Sequence, residues 1–283
     1  MNQFNRVYVV ALGYTEQMAQ VSKKPRKKVS KAEILDQIFN ENCLDTMKRI
    51  PDASVDVVIT SPPYNMNLRI RNGVYTSRQI VKEISTKYEG FSDNMPIDEY
   101  YKFHSEVIRE LMRISNLVFY NIQIVTGSKR AFFKIIGDFS DNLKEIIIWD
   151  KGNGQPAMQE QVLNRRSELL LVFENDYPIS RQFRSAVFKR GTLDDVWLIK
   201  RERKKGVVNH GATFPEELIK TILKNFSKEN DVVYDPFLGT GTTAIVAKMM
   251  NRRFIGSELS KEYYEISKKK LKEDRFLEEQ LDL

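Results

Sequence analysis

One cysteine and two histidines in 283 residues leave little material for thiol or metal chemistry. The lone Cys43 excludes an intramolecular disulfide and a zinc-ribbon framework, and suits a reducing interior. His104 and His210 are too few for a histidine-rich metal site, so the expectation is no metal. Long apolar runs are also missing: none approaches the roughly 20 residues that span a bilayer. The apolar stretch Val7–Leu12 is followed by no signal-peptide cleavage pattern. These absences point to a protein of the cell interior with no membrane partner. Negative charge is in deficit as well. The net charge of +7 and pI near 9.2 suit a polyanionic partner without separating DNA from RNA or a membrane surface.

What is present is an ordinary globular composition, 41% hydrophobic and 29% charged, in a chain long enough for one sizeable core. Short apolar runs at 55–59, 116–121, 145–151, 167–173 and 231–234 read as strands. Helical patterns at 98–112, 129–136 and 216–226 alternate with them. That alternation predicts an α/β fold, a mainly parallel sheet with helices on both faces.

Two stretches carry the chemistry. In Ile59-Thr60-Ser61-Pro62-Pro63-Tyr64 a buried strand meets two prolines that stop the ladder and lock the backbone. A hydroxyl and an aromatic ring are thereby held at the carboxyl end of a strand, where open α/β sheets bind ligands. The second stretch, Asp231 to Thr243, reads as strand, glycine loop and helix start, with Asp235-Pro236-Phe237 leading into Gly239 and Gly241. No lysine follows Gly241, which disfavours a phosphate loop. Ala244 falls where the third small residue of a dinucleotide fingerprint would be, so spacing alone leaves that reading open. Glu258 ends the next short strand, a position suited to a ribose diol.

In this order and spacing the motifs resemble those of DNA amino-methyltransferases, in the branch whose Pro-Pro-Tyr motif precedes the glycine loop. The resemblance covers about 39–271. It implies a Rossmann-like sheet of seven strands, mostly parallel with one reversed. It also implies S-adenosyl-L-methionine as cofactor and double-stranded DNA, with the target base flipped out, as substrate. The Thr-Ser-Pro-Pro-Tyr form resembles the N4-cytosine signature, whereas N6-adenine enzymes more often carry Asp or Asn in place of Ser61. N6-adenine methylation on the same scaffold stays open, as does a DNA-binding protein that has lost catalysis. Cys43 has no neighbouring proline of the kind that carbon-5 cytosine methylation uses, so a small buried residue is expected there. The resemblance makes Ser61, Pro62, Pro63 and Tyr64 catalytic. It gives Asp235, Pro236, Phe237, Gly239, Gly241, Thr242, Glu258 and Phe214 to the cofactor, with Asp235 either meeting it or ordering the loop. Tyr64 is expected to stack on the target base. A homodimer and a cognate restriction endonuclease are family expectations, as is a location in the cytoplasm of a bacterial or phage-infected cell.

The remaining segments read as accessories to one methyltransferase domain over 32–283. Residues 1–31 form a basic arm, flexible or phosphate-binding. The polar insertion 65–96 is long for a loop, and reads as a lid or DNA contact, with 77–87 a candidate helix. Residues 153–156 read as loop. Cations gather over 177–209, where the family keeps its target-recognition region; Arg181, Arg184, Lys189, Arg190, Arg201 and Arg203 are candidate DNA contacts, with Arg165 at the entry of a strand. Phe183, Phe188 and Trp197 are interleaved among them. Pro215 is expected at the first helical position, and 260–283 as a C-terminal helix.

Overall fold

The computed structural model describes residues 31–66, 68–71, 74–77, 94–155, 160–176, 179–201 and 214–281. Residues 1–30 of the 1–31 arm, 78–87 of the candidate helix over 77–87, His210 and Arg203 lie outside the described residues, while Ser77 belongs to a strand and Lys31 to a helix. The elements in chain order are α1 (Lys31–Ile34), β1 (Gln37–Phe39), α2 (Cys43–Met47), β2 (Val57–Thr60), β3 (Leu68–Arg71), β4 (Val74–Ser77), α3 (Ile97–Ile114) and β5 (Leu117–Ile122). They continue as α4 (Lys129–Asp138), β6 (Leu143–Gln155), β7 (Arg165–Glu174), β8 (Val196–Leu198), α5 (Glu216–Phe226), β9 (Val232–Asp235), α6 (Thr242–Met249), β10 (Arg253–Ser257) and α7 (Lys261–Leu281).

Among the described residues, eight strands form one sheet in the order β1-β10-β9-β2-β5-β7-β6-β8. Only β7 is reversed; it pairs antiparallel with both β5 and β6, and every other pair in this sheet is parallel. The fold is therefore Rossmann-like, as expected, but with eight strands rather than seven. The two edge strands, β1 and β8, are each three residues long and too short to leave a periodic signal. Two further differences are local. Residues 153–155 extend β6 instead of forming a loop, and Pro215 occupies the N-cap of α5 rather than its first turn. The insertion after Tyr64 contains a hairpin, β3 with β4.

The central strands are buried on both faces, which is why they read as unbroken apolar runs. Their alternation sorts two cores. Val58, Val118, Tyr120 and Ile122 face one side, where Tyr100, Val107, Ile108 and Leu111 of α3 and Phe132 and Ile135 of α4 cover them. Val57, Ile59, Leu117 and Phe119 face the other, under Leu218, Ile219, Ile222 and Leu223 of α5 and Val246 and Ala247 of α6. Helices α3 and α5 have acidic first turns and a basic last turn, Asp98 and Glu99 against Arg113 in α3, Glu216 and Glu217 against Lys224 in α5. That distribution complements the helix dipole.

The topology creates the site. From β9 the chain winds through α6 to β10 on one side; from β2 it winds through α3 to β5 on the other. Neighbouring strands whose connections diverge leave a crevice at their carboxyl ends. The two strands here are β2, which ends in Thr60 and leads into Ser61, and β9, which ends in Tyr234-Asp235.

Candidate active site

The two motifs, 175 residues apart, meet through Asp235. Its carboxylate accepts from Thr60 Oγ1 at 2.7 Å, from Thr243 Oγ1 at 2.7 Å and from the Phe237 amide at 3.0 Å. Burial raises the Asp235 carboxyl to about 6, against the opposing pull of those three hydrogen bonds. Of the two roles open to Asp235, ordering the glycine loop is the one its contacts fill.

The two glycines do different work. Gly241 caps α6 with φ +91, and a Cβ there would lie 2.8 Å from Ser267 Cβ on α7. It is small because a helix packs against it, as well as because of its left-handed backbone. Gly239 also has positive φ, +55, but nothing lies within 4 Å of the place its Cβ would take. It borders open space. Glu258 closes this end of the crevice: Oε2 accepts from Gly239 N at 2.7 Å and Oε1 from Ser260 N at 2.8 Å. Burial raises its carboxyl above the ordinary range, and these amides oppose the shift. A carboxylate has about four acceptor positions, so acceptor capacity remains for a ribose hydroxyl.

On the β2 side, the Pro63 carbonyl accepts from Tyr100 Oη of α3 at 2.6 Å. Asn65 leaves the motif with φ +57, buried, and its amide donates to the carbonyls of Met95 and Gly127 at 2.8 and 2.9 Å. Behind Tyr100 lies His104, fully buried, its Nδ1 2.5 Å from Tyr120 Oη. Desolvation lowers this imidazole to about 3, so it is neutral. His104 is a packing residue among Tyr100, Phe132 and Phe237.

A polar cluster extends from Ser61 into the sheet. Ser61 Oγ lies 2.6 Å from Tyr64 Oη, which lies 3.1 Å from Glu168 Oε2 on β7. Asn121 of β5 donates from Nδ2 to Tyr64 Oη at 2.5 Å and to Glu168 at 2.7 Å, and is 3.4 Å from Ser61 Oγ. Lys151 of β6 donates to Glu168 Oε1 at 2.9 Å, with both side chains buried. Burial drives the Tyr64 hydroxyl far above its ordinary range, and Glu168 adds to the shift. Burial likewise lowers the Lys151 ammonium, with Glu168 opposing. Tyr64 is anchored by its hydroxyl while its residue surface stays partly accessible.

From sequence, Asn121, Glu168 and Lys151 are read only as parts of the strands at 116–121, 167–173 and 145–151. The signal was there: polar residues inside the apolar runs Leu117–Ile122 and Arg165–Glu174 require buried partners.

The structure places Phe214 beside Trp149, with ring centroids 6.3 Å apart. The aromatics of the cationic segment are not free to read bases: Phe183 and Phe188 pack on Phe226, and Trp197 is buried with its indole N–H on the Asp194 carbonyl. The cations Arg165, Arg181, Arg184, Lys189, Arg190 and Arg201 are exposed. Arg201 also comes within 4.0 Å of Glu168. Cys43 is buried, and burial raises its thiol to about 12, which rules it out as a nucleophile. Among the described residues no cluster of acids, histidine and cysteine could hold a metal, and no helix is long and apolar enough to cross a membrane.

The family model for DNA methylases of the N6 and N4 type matches residues 55–269, taking in both motifs and Glu258. The chain belongs to this family of DNA amino-methyltransferases. Its members are S-adenosylmethionine-dependent enzymes that modify DNA. Among its relatives is the type II methyltransferase M.BglII of Bacillus subtilis, 28% identical over 82% of this chain and 68% of the relative. Another is the type II methyltransferase M.HinfI of Haemophilus influenzae, 26% identical over 85% and 69%. Among solved structures, the cytosine-N4-specific PvuII DNA methyltransferase aligns with a TM-score of 0.61, at 17% identity over 82% of this chain and 84% of that one. The M1.HpyAVI–SAM complex aligns at 0.54, with 21% identity over 83% and 98%. At these identities the structures share the amino-methyltransferase fold.

Proposed function

We propose that this DNA methyltransferase modifies the exocyclic N4 amine of a cytosine extruded from double-stranded DNA. The observation that carries the reading is Ser61, a hydroxyl rather than a carboxylate at the end of β2, on the rim of the crevice that Glu258 closes.

The crevice fits S-adenosylmethionine. Gly239 leaves open space over the loop, the N-terminus of α6 lies behind it, and Glu258 keeps acceptor positions for ribose hydroxyls. Phe237, Pro236 and Thr242 would surround the cofactor, and Phe214 would border its methionine end. When bound, it supplies an electrophilic methyl carbon and a thioether leaving group.

The amine of cytosine is a poor nucleophile because its lone pair is delocalised into the ring. The protein must hold the N–H groups while the nitrogen becomes pyramidal. In this reading Ser61 Oγ and the Pro62 carbonyl accept those two hydrogens, and the paired prolines keep the acceptors rigid. Positioning and electrostatics then carry the rate. The Tyr64 ring, anchored by its hydroxyl, stacks on the flipped base. The exposed cations from Arg181 to Arg201, with Arg165, bind phosphates and orient the duplex.

Turnover of Ser61→Ala tests the reading. Removing an oriented polar group of this kind lowers kcat by roughly 10²-fold, with the affinity for S-adenosylmethionine unchanged. Wild-type turnover in a folded variant would end the hydroxyl's role.

A further inference from the structure

Four polar side chains are buried behind Ser61 that the proposed chemistry does not use: Tyr64 Oη, Asn121, Glu168 and Lys151. Their hydrogen-bond capacities fix a direction. A carboxylate paired with an ammonium accepts only, and Glu168 receives Lys151 Nζ at 2.9 Å, Asn121 Nδ2 at 2.7 Å and Tyr64 Oη at 3.1 Å. The single phenolic proton of Tyr64 is thereby committed to Glu168. The Tyr64 oxygen is left as an acceptor, and it receives Asn121 Nδ2 at 2.5 Å. Geometry alone allows either partner to donate in the 2.6 Å contact between Ser61 and Tyr64. With the tyrosine proton spoken for, the serine must donate.

We infer that Glu168 is a positioning residue that orients the Ser61 hydroxyl through Tyr64, so that Ser61 turns its lone pairs and not its proton toward the target amine. The inference rests on the reading of Ser61 given above. Its chemical consequence is specific. A hydroxyl that donated to the amine would occupy the nitrogen lone pair that must attack the methyl group; one that accepts an N–H leaves that lone pair free. The negative charge sits one residue deeper than in a motif that begins with a carboxylate, and reaches the substrate as the polarity of a hydrogen-bond chain. Lys151 offsets the burial of that charge through its 2.9 Å hydrogen bond to Glu168 Oε1. Asn121 braces the chain by donating to both Tyr64 and Glu168.

Glu168→Gln tests this, because the amide keeps the shape and can donate to Tyr64, which reverses the chain. The expected result is a fall in kcat of at least about tenfold, smaller than the loss of an acceptor in direct contact, with KM for DNA and the dissociation constant for S-adenosylmethionine within about threefold of wild type. Glu168→Gln strands the Lys151 ammonium in a buried site, so the neutral pair Lys151→Met/Glu168→Gln is measured beside it, with thermal melting of both. In the Tyr64→Phe background, where the direct link is cut and only the 3.4 Å contact of Asn121 with Ser61 remains, Glu168→Gln should have a much smaller effect on kcat. Folded single and double variants that both turn over at the wild-type rate would overturn the inference, as would an undiminished effect in the Tyr64→Phe background. A Ser61→Ala variant with wild-type turnover would instead remove the reading on which it stands.

Discussion

Thr60, the last residue of β2, donates a 2.7 Å hydrogen bond to Asp235, the last residue of β9. The bond ties the motif proposed to hold the amine to the loop proposed to hold the methyl donor. Its ends are adjacent only because β2 and β9 are neighbours whose connections wind in opposite directions. A shift in one strand is therefore felt at both halves of the site.

Asp235 makes that link sensitive to pH. Its carboxyl is raised to about 6 in the fold, from 3.8 in the absence of its surroundings, with burial the leading cause. A raised carboxyl favours the protonated folded form, so its contribution to stability is fully present below about pH 4 and is lost as pH rises to about 6. At about 1.4 kcal/mol per unit, wild type should lose roughly 3 kcal/mol across that window relative to Asp235→Asn. Chemical denaturation of both proteins at a series of pH values gives the difference directly.

His104 acts in the opposite sense. Desolvation lowers its folded value to about 3 from 6.5, so its contribution is fully present above pH 6.5 and declines as pH falls toward 3. Replacing it with Gln, which can still meet Tyr120 Oη, should remove about one proton from the pH dependence of unfolding, a slope of about 1.4 kcal/mol per unit. Stability curves between pH 4 and 7 check this. An unchanged slope would place the acid sensitivity elsewhere.

The two loop glycines should fail differently. Gly241→Ala meets Ser267 Cβ at 2.8 Å and a left-handed φ of +91, which should cost about 2–3 kcal/mol of stability. Gly239→Ala has open space beside it and only its backbone to strain, at about 1–2 kcal/mol. Its larger effect should fall on the affinity for S-adenosylmethionine. Melting temperatures and titration calorimetry of the pair separate the two.

Lys144 and Glu174 form a buried ion pair at 2.5 Å, and Glu174 also accepts the Arg184 amide at 3.1 Å. The pair anchors the start of the cationic segment to the sheet. Lys144→Met should cost about 3–5 kcal/mol by leaving the Glu174 charge without its ammonium, and should weaken DNA binding by loosening the backbone at Arg184. Denaturant melts and a DNA titration at fixed salt test the two effects together.

The central strands and the helices between them, Ser61–Tyr64, Asp235, the glycine loop and Glu258 were legible in the sequence, because local periodicity and turn chemistry mark them; the three-residue strands β1 and β8 and the β3–β4 hairpin were not. What else escaped is long-range. Glu168 gains its role only when β7 runs antiparallel beside β5 and faces Asn121 and Tyr64, and no local pattern reports that pairing. In the sequence Phe183, Phe188 and Trp197 are interleaved among cations. Their neighbours in space are Phe226 and the Asp194 carbonyl, which make them core. Gly241 reads as a cofactor-facing glycine, and the helix that also demands a glycine there, through Ser267, comes 26 positions later in the chain.

The most direct test of the central claim is the product. Purified protein is incubated with unmethylated DNA of mixed sequence and labelled S-adenosylmethionine, and the nucleosides are then separated by mass spectrometry. The account predicts label in N4-methylcytosine. Label in N6-methyladenine would contradict it, showing that the hydroxyl of Ser61 does not select cytosine on this scaffold.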